Sequence, residues 1–129
     1  MSDQPYFDQA GEPSDEPGRF VHVDDLDPLN VIEGLEFRPV TTDSVMTNFV
    51  TFEPDAPAPM HHHVEQQIAI ILSGELTFTV GSETNVMHAG DCVVIPPHVP
   101  HGGVAGPQGC TVIDVFTPPR AGIVDLMER

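Results

Sequence analysis

From Phe20 onward the chain consists of short apolar runs separated by glycine and proline, at intervals of about ten residues. Leu76, Phe78 and Val80 alternate with threonine, a two-residue period that indicates a strand with one buried face. Residues 68–72 are apolar throughout, which predicts a strand buried on both faces. Together these patterns predict an all-β fold, either a sandwich or a barrel.

The pattern predicts eight strands and very little helix. The strands are expected at residues 20–23, 35–40, 45–52, 66–72, 76–80, 85–88, 92–95 and 111–117. A single helical turn is expected at residues 123–127. Residues 1–18 are acidic and contain few apolar side chains, so we expect a disordered tail there and one domain over residues 19–129.

The charge balance of the chain restricts its partners. Its 129 residues, enough for a single domain, include 20 acidic residues against four arginines and no lysine, a formal net charge of −16. Because nucleic acids and anionic membrane surfaces attract basic proteins, we expect neither as a partner. No apolar run approaches the roughly 20 residues of a membrane helix.

Two further features bear on the cellular environment. The chain begins Met1-Ser2-Asp3, without the basic and apolar stretches of a secretory signal, so we expect a cytoplasmic protein. Cys92 and Cys110 are too few for a disulfide framework. Each lies in an apolar run, and both are expected to be buried thiols.

Six of the seven histidines fall between His61 and His101, and this clustering suggests a metal site. On an extended chain His61, His63 and Gln67 point to the same side, so two imidazoles and an amide oxygen can converge. Prolines restrict the turn that leads to His101, which can supply a fourth ligand. A plain polar role is expected for the remaining histidines, His22, His62, His88 and His98.

Two segments carry a family resemblance. Residues 61–74 match the first motif of the cupins, H-x-H-x(3)-E-x(6)-G, with Gln67 in place of the acid. Residues 90–101 match the second, G-x(5)-P-x-G-x(2)-H, with His98 in place of a glycine, where a changed turn is expected. The chain therefore resembles a small single-domain cupin. The resemblance implies a jelly-roll β-barrel, the double-stranded β-helix, with one divalent metal ion inside.

The glutamine in the first motif has a chemical consequence. Three neutral imidazoles and the neutral amide of Gln67 leave the full charge of the ion available to polarise a substrate oxygen. Four protein ligands would leave two adjacent positions open on an ion that prefers six. The donor set does not distinguish Fe, Mn, Ni, Zn or Co.

The end of the domain narrows the resemblance further. Asp114 and Phe116 are expected on one face of a strand, and Arg120, one of only four cations, follows closely. The D-V-F-x-P-x-R pattern resembles the KdgF-like cupins of pectin degradation, which convert unsaturated uronates to linear keto sugars. That resemblance implies metal binding by His61, His63, Gln67 and His101. It also places Asp114, Phe116 and Arg120 around the substrate.

Several alternatives remain open at this stage. We expect Asp114 and Arg120 to be catalytic in a lyase or isomerase that acts on a small anion, with Arg38, Phe78 and Met46 as further pocket residues. An Fe- or Mn-dependent dioxygenase would use the same ligands beside an apolar pocket, to which Phe49 could contribute. A third reading is a binding or regulatory module without catalysis. Asp114 and Arg120 could instead form a structural salt bridge, and the resemblance implies a homodimer.

Overall fold

The computed structural model describes residues 5–7 and 9–129 and contains eight strands and one α-helix. The strands are β1 Leu29–Ile32, β2 Leu35–Thr41, β3 Met46–Phe52, β4 Pro57–His61, β5 Gln66–Val80, β6 Glu83–His88, β7 Cys92–Ile95 and β8 His101–Thr117. The helix α1 spans Ala121–Met127, and single 3-10 turns lie at Pro5–Phe7 and Val23–Asp25. The all-β prediction is confirmed.

The strands pair antiparallel in the order β1-β2-β3-β8-β5-β6, with β4 on β8 and β7 on β5. Two long strands, β5 with 15 residues and β8 with 17, cross between the two halves of this sheet. Their pairing shifts register beside Gly74, where φ is 73° and a side chain would collide with the Gly109 carbonyl. The sheet thus folds over on itself as a jelly roll.

The interior holds alternate side chains of the central strands. The main buried cluster includes Leu35, Val50, Ile71, Leu76, Ile95 and Val112. A smaller cluster of Met46, Phe116 and Ile123 packs α1 against the open end of the barrel. This end is where the candidate site lies.

The predicted strand at residues 20–23 is wrong. Phe20 is 97% exposed, Val23 begins a 3-10 turn, and none of the described strands pairs with this segment. Conversely, β4 was not predicted because Pro57 and Pro59 interrupt its apolar pattern. Proline is tolerated there because β4 pairs only with β8 and one side of it remains an edge.

Two further predictions about which side chains are buried need correction. Strand β5 buries Ala69 and Ile71 but leaves Ile68 42% and Leu72 50% exposed, so residues 68–72 are buried on one face and not on both. Cys110 is buried, and burial raises the pKa of its thiol to about 11. Cys92 is exposed, contrary to the prediction of two buried thiols.

The N-terminal segment adds little to the described structure. Residues 9–18 are exposed and have no helix or strand. Residues 1–4 and 8, which belong to the predicted disordered tail, lie outside the described residues, and the disorder of the tail stays a prediction. Across residues 5–7 and 9–129, no helix is long and apolar enough to cross a membrane.

Candidate metal centre

Three histidines converge at one end of the barrel because of strand register. His61 ends β4 and His101 begins β8, and the antiparallel register places them directly opposite each other. His63 lies in the short connection to β5, and the backbone N–H of His98 donates to its carbonyl at 2.7 Å. One ring nitrogen from each of these three histidines lies within 4.8 Å of the others. The predicted three-histidine cluster therefore forms.

Each of the three rings is oriented by its own backbone. Nδ1 donates to a carbonyl oxygen two residues away at 2.8, 2.9 and 2.8 Å, in the pairs His61–Pro59, His63–Glu65 and His101–Val99. A carbonyl only accepts hydrogen bonds, so each Nδ1 carries the proton and each neutral Nε2 keeps a lone pair. This is the tautomer and the orientation that metal-ligating histidines adopt.

Burial keeps two of the rings neutral. Desolvation lowers the pKa of His101 to about 4 and also lowers that of His63. Nε2 of His101 is buried and has no hydrogen-bond partner among the described residues. A buried lone pair without a donor costs free energy unless a cation or another group binds it.

Gln67 completes the donor set. Its Nε2 donates to Oδ1 of Asp114 at 2.8 Å, which turns its Oε1 toward Nε2 of His63 at 3.1 Å. Both of these facing atoms are acceptors, so they repel unless a cation lies beside them. Two ligand atoms that each lie about 2.1 Å from an ion, with a right angle between the two bonds, are about 3 Å apart. The four residues fit a divalent metal ion.

Glu65 is a buried acid that the sequence analysis did not identify. Its Oε2 accepts the Ala121 N–H at 2.8 Å, and its Oε1 lies 3.5 Å from Nδ1 of His63 and 4.0 Å from Nη1 of Arg120. Burial works to raise the pKa of Glu65, but the Ala121 hydrogen bond and the Arg120 charge outweigh it and lower the pKa. Its position two residues after His63 and two before Gln67 was the available signal.

A cavity of about 370 Å³ opens beside the cluster. Its polar lining includes His61, His101, Gln67, Asn48, Asp114 and Arg120. Most of the remaining wall is apolar and includes Leu35, Val50, Phe78, Val112, Phe116 and Ile123. Asp114 lies between the cavity residues Val112 and Phe116 on β8. Burial raises the pKa of its carboxyl to about 7, while the Gln67 hydrogen bond opposes that shift. A carboxyl with such a pKa can give or accept a proton near neutrality.

A comparison with protein families identifies the fold. The cupin domain model matches residues 48–116, more than half of the chain. This chain belongs to the cupin family. Both motifs, residues 61–74 and 90–101, lie within the matched region, and the predicted family is confirmed.

Named relatives place this cupin more closely. It is 28% identical over 102 residues to the pectin degradation protein KdgF of Dickeya dadantii, a match covering 77% of this chain and 93% of the relative. The structure of KdgF from Halomonas sp. superposes with a TM-score of 0.78 at 28% identity, covering 83% and 99% of the two chains. The H2HPP isomerase of Bacillus subtilis is 46% identical over 50 residues, which span 38% of this chain and 21% of that protein. The KdgF-like resemblance is therefore confirmed.

The structure separates the expected pocket residues of this cupin into two groups. Phe78, Phe116, Asp114 and Arg120 line the cavity as expected. The carboxylate nearest Arg120 belongs to Glu65, so the structural alternative of an Asp114–Arg120 salt bridge is not what the described residues form.

Three expectations about the pocket need correction. Arg38 pairs with Phe49 across β2 and β3, and both lie on the outer face of the sheet, away from the cavity. Arg38 instead donates from Nε to the Leu26 carbonyl at 3.1 Å. Met46 points inward but is fully buried behind Phe116, so it supports the wall without lining it.

Proposed function

We propose that this cupin is a metal-dependent enzyme that acts on a small oxygen-rich anion by non-redox Lewis-acid and proton-transfer chemistry, as a lyase or isomerase. The observation that carries the proposal is the hydrogen bond from Gln67 to Asp114, which couples a neutral metal-ligand set to a carboxyl beside the cavity. The similarity to a pectin degradation protein and to an isomerase supports this class of reaction.

Each residue of the site has a separate role in the proposed reaction. When bound, the metal would supply Lewis-acid polarisation of a substrate oxygen. Arg120 lines the cavity and binds the substrate carboxylate through its guanidinium. Asp114 moves a proton during ring opening or tautomerisation of the substrate, because its carboxyl lines the cavity and the hydrogen bond from Gln67 fixes its orientation. The Phe116 ring packs edge-on against His63, with ring centroids 5.6 Å apart, and shields the His63 imidazole from water.

The proposed substrate is an unsaturated uronate, which the reaction would convert to a linear keto sugar. We expect tag-free protein to contain about one divalent ion per chain, and the reconstituted protein to remove the ultraviolet absorbance of the uronate without oxygen. Elemental analysis and anaerobic spectrophotometry measure the two results. Metal without turnover would refute this substrate, and no metal after reconstitution would refute the ligand set.

A dioxygenase is the second candidate, and the apolar wall of the cavity favours it. Leu35, Val50 and Phe78 give that wall a character that suits a less polar substrate beside an oxygen-binding metal. Oxygen uptake with candidate enols, in protein that fails to act on the uronate anaerobically, would support this reading. Ligand binding without either reaction would instead support a binding or regulatory cupin.

We also propose that the protein is a homodimer formed through the outer face of β7, β5 and β8. Register places Ile68 beside Val94 and Val115 there, and Val94 is 67% exposed. A continuous apolar sheet face of this kind is typical of a contact surface. Sedimentation velocity should give twice the 14.0 kDa chain mass.

Val94→Glu should shift this protein toward the monomer, since it places a charge inside the proposed contact. Val86→Glu is the matched control, because Val86 is also exposed, at 49%, but lies on β6 outside that face. A monomeric wild type, or equal effects of the two substitutions, would contradict the proposed interface.

A further inference from the structure

Asn48 is a buried side chain that the metal site does not account for. It lies in the middle of β3 and is only 1% exposed. Neither its Oδ1 nor its Nδ2 has a hydrogen-bond partner among the described residues. Leaving both ends of a carboxamide unpaired destabilises a folded protein, so such a residue in a cavity wall calls for a ligand that pairs with it.

The position of Asn48 points to the substrate as that ligand. Asn48 lines the cavity and pairs directly with Asp114 across β3 and β8. Directly paired side chains on one face of a sheet have Cβ atoms about 5 Å apart. Asp114 in turn accepts the hydrogen bond from Gln67. A row of polar groups thus leads from the metal ligands, through the proton-transfer residue, to Asn48.

We propose that the Asn48 carboxamide determines specificity by binding two adjacent oxygen atoms of the substrate, as in a vicinal diol or a hydroxy ketone. Nδ2 donates to one oxygen, and Oδ1 accepts the hydroxyl hydrogen of the other. This inference rests on the proposed function and narrows its substrate class. Beyond the Asn48–Asp114 pair, the neighbouring wall residues Val50 and Val112 are apolar, so a substrate lacking these oxygens would leave the carboxamide unpaired and would be rejected.

The leucine variant separates this role from a structural one. Leucine has the same branching and the same number of side-chain heavy atoms as asparagine but no polar atoms, and the adjacent cavity gives room for its bulkier methyl groups. If Asn48 serves the ligand, Asn48→Leu removes an unpaired buried group, and the metal-loaded protein should melt about 2 to 6 °C higher. A residue needed for the fold would show a lower melting temperature instead.

Binding is tested with two unreactive carboxylates of similar ring size, D-galacturonate and cyclohexanecarboxylate. The first carries adjacent hydroxyls and the second carries none. Calorimetry on metal-loaded protein should show the Asn48→Leu variant binding galacturonate at least about tenfold more weakly, with cyclohexanecarboxylate bound as well as or better than by wild type. Thr47→Val, on the same strand but the opposite face, is the matched control and should change neither affinity.

The outcomes distinguish this inference from the proposed reaction. It is overturned if wild type does not prefer galacturonate, if both probes lose affinity equally, or if Asn48→Leu lowers the melting temperature. Failure to convert the unsaturated uronate, with the galacturonate preference intact and dependent on Asn48, would refute the reaction and leave the inference standing. Full uronate turnover by Asn48→Leu would overturn the inference alone.

Discussion

Replacing His101 with alanine is expected to abolish metal binding while the barrel still folds. His101 supplies the most buried of the three imidazoles, and its Nε2, which has no hydrogen-bond partner within residues 5–7 and 9–129, faces the cluster. Loss of a direct ligand should weaken metal binding by more than the roughly 100-fold that supporting residues contribute. Elemental analysis after dialysis measures the effect, and His63→Ala should behave in the same way.

The cost of His101→Ala to the fold should be modest. The substitution removes a ring that stacks on Phe78, with centroids 6.4 Å apart, but it also removes a buried nitrogen that has no hydrogen-bond partner in the described part of the chain. We expect the free energy of unfolding of the metal-free protein to decrease by about 1 to 3 kcal/mol. His62→Ala is the control, because His62 neighbours two ligands in sequence but lies outside the cluster. Unchanged metal content in His101→Ala would contradict the ligand set.

Asp114→Asn is expected to lower kcat by about 100-fold to 10,000-fold, the usual contribution of a proton-transfer group. The asparagine Oδ1 can still accept the hydrogen bond from Gln67, so the metal ligands should keep their geometry. Metal content should therefore stay near that of wild type, and KM should change far less than kcat. Steady-state kinetics with parallel elemental analysis separates these quantities.

Asp125→Asn makes the same chemical change on the exposed surface of α1 and should leave kcat unaltered. Loss of metal from Asp114→Asn in proportion to the lost activity would show that Asp114 only positions Gln67. Wild-type kcat with full metal would remove Asp114 from the mechanism.

Strands with a clear apolar run in the sequence were predicted accurately, whereas strands that depend on pairing with distant segments were not. Strand β7 was predicted to the residue because its apolar run is short and ends at prolines. Strand β8 was predicted only from residue 111, although it begins at His101. Its first half contains glycines, and a side chain at Gly102 would lie 2.8 Å from the Ala58 carbonyl of β4. Pairing with neighbours, and not local propensity, makes that segment a strand.

The second motif shows the same limit at a single residue. His98 replaces the motif glycine, and a changed turn was expected there. The structure holds His98 at φ 65°, a left-handed conformation that glycine adopts without strain. The N–H of His98 donates a hydrogen bond to the His63 carbonyl. This hydrogen bond joins the two motifs at the metal centre and stabilises the left-handed conformation. The cytoplasmic location and the absence of nucleic-acid and membrane partners stay predictions.

The all-β class, the cupin family and the four candidate metal ligands are all predictable from the amino-acid sequence alone. Those ligands are predictable because the two cupin motifs fix the spacing of His61, His63, Gln67 and His101. The structure does not place the first three on one extended segment, since His61 ends β4, His63 lies in the connection and Gln67 lies on β5. Only the pairing of the strands shows that Asn48 lines the cavity, that Glu65 lies beside His63 and Arg120, and that Arg38 faces away. Which face of a strand looks into a barrel depends on pairing between distant segments, as between Asn48 and Asp114, and that register is set by burial across the whole sheet.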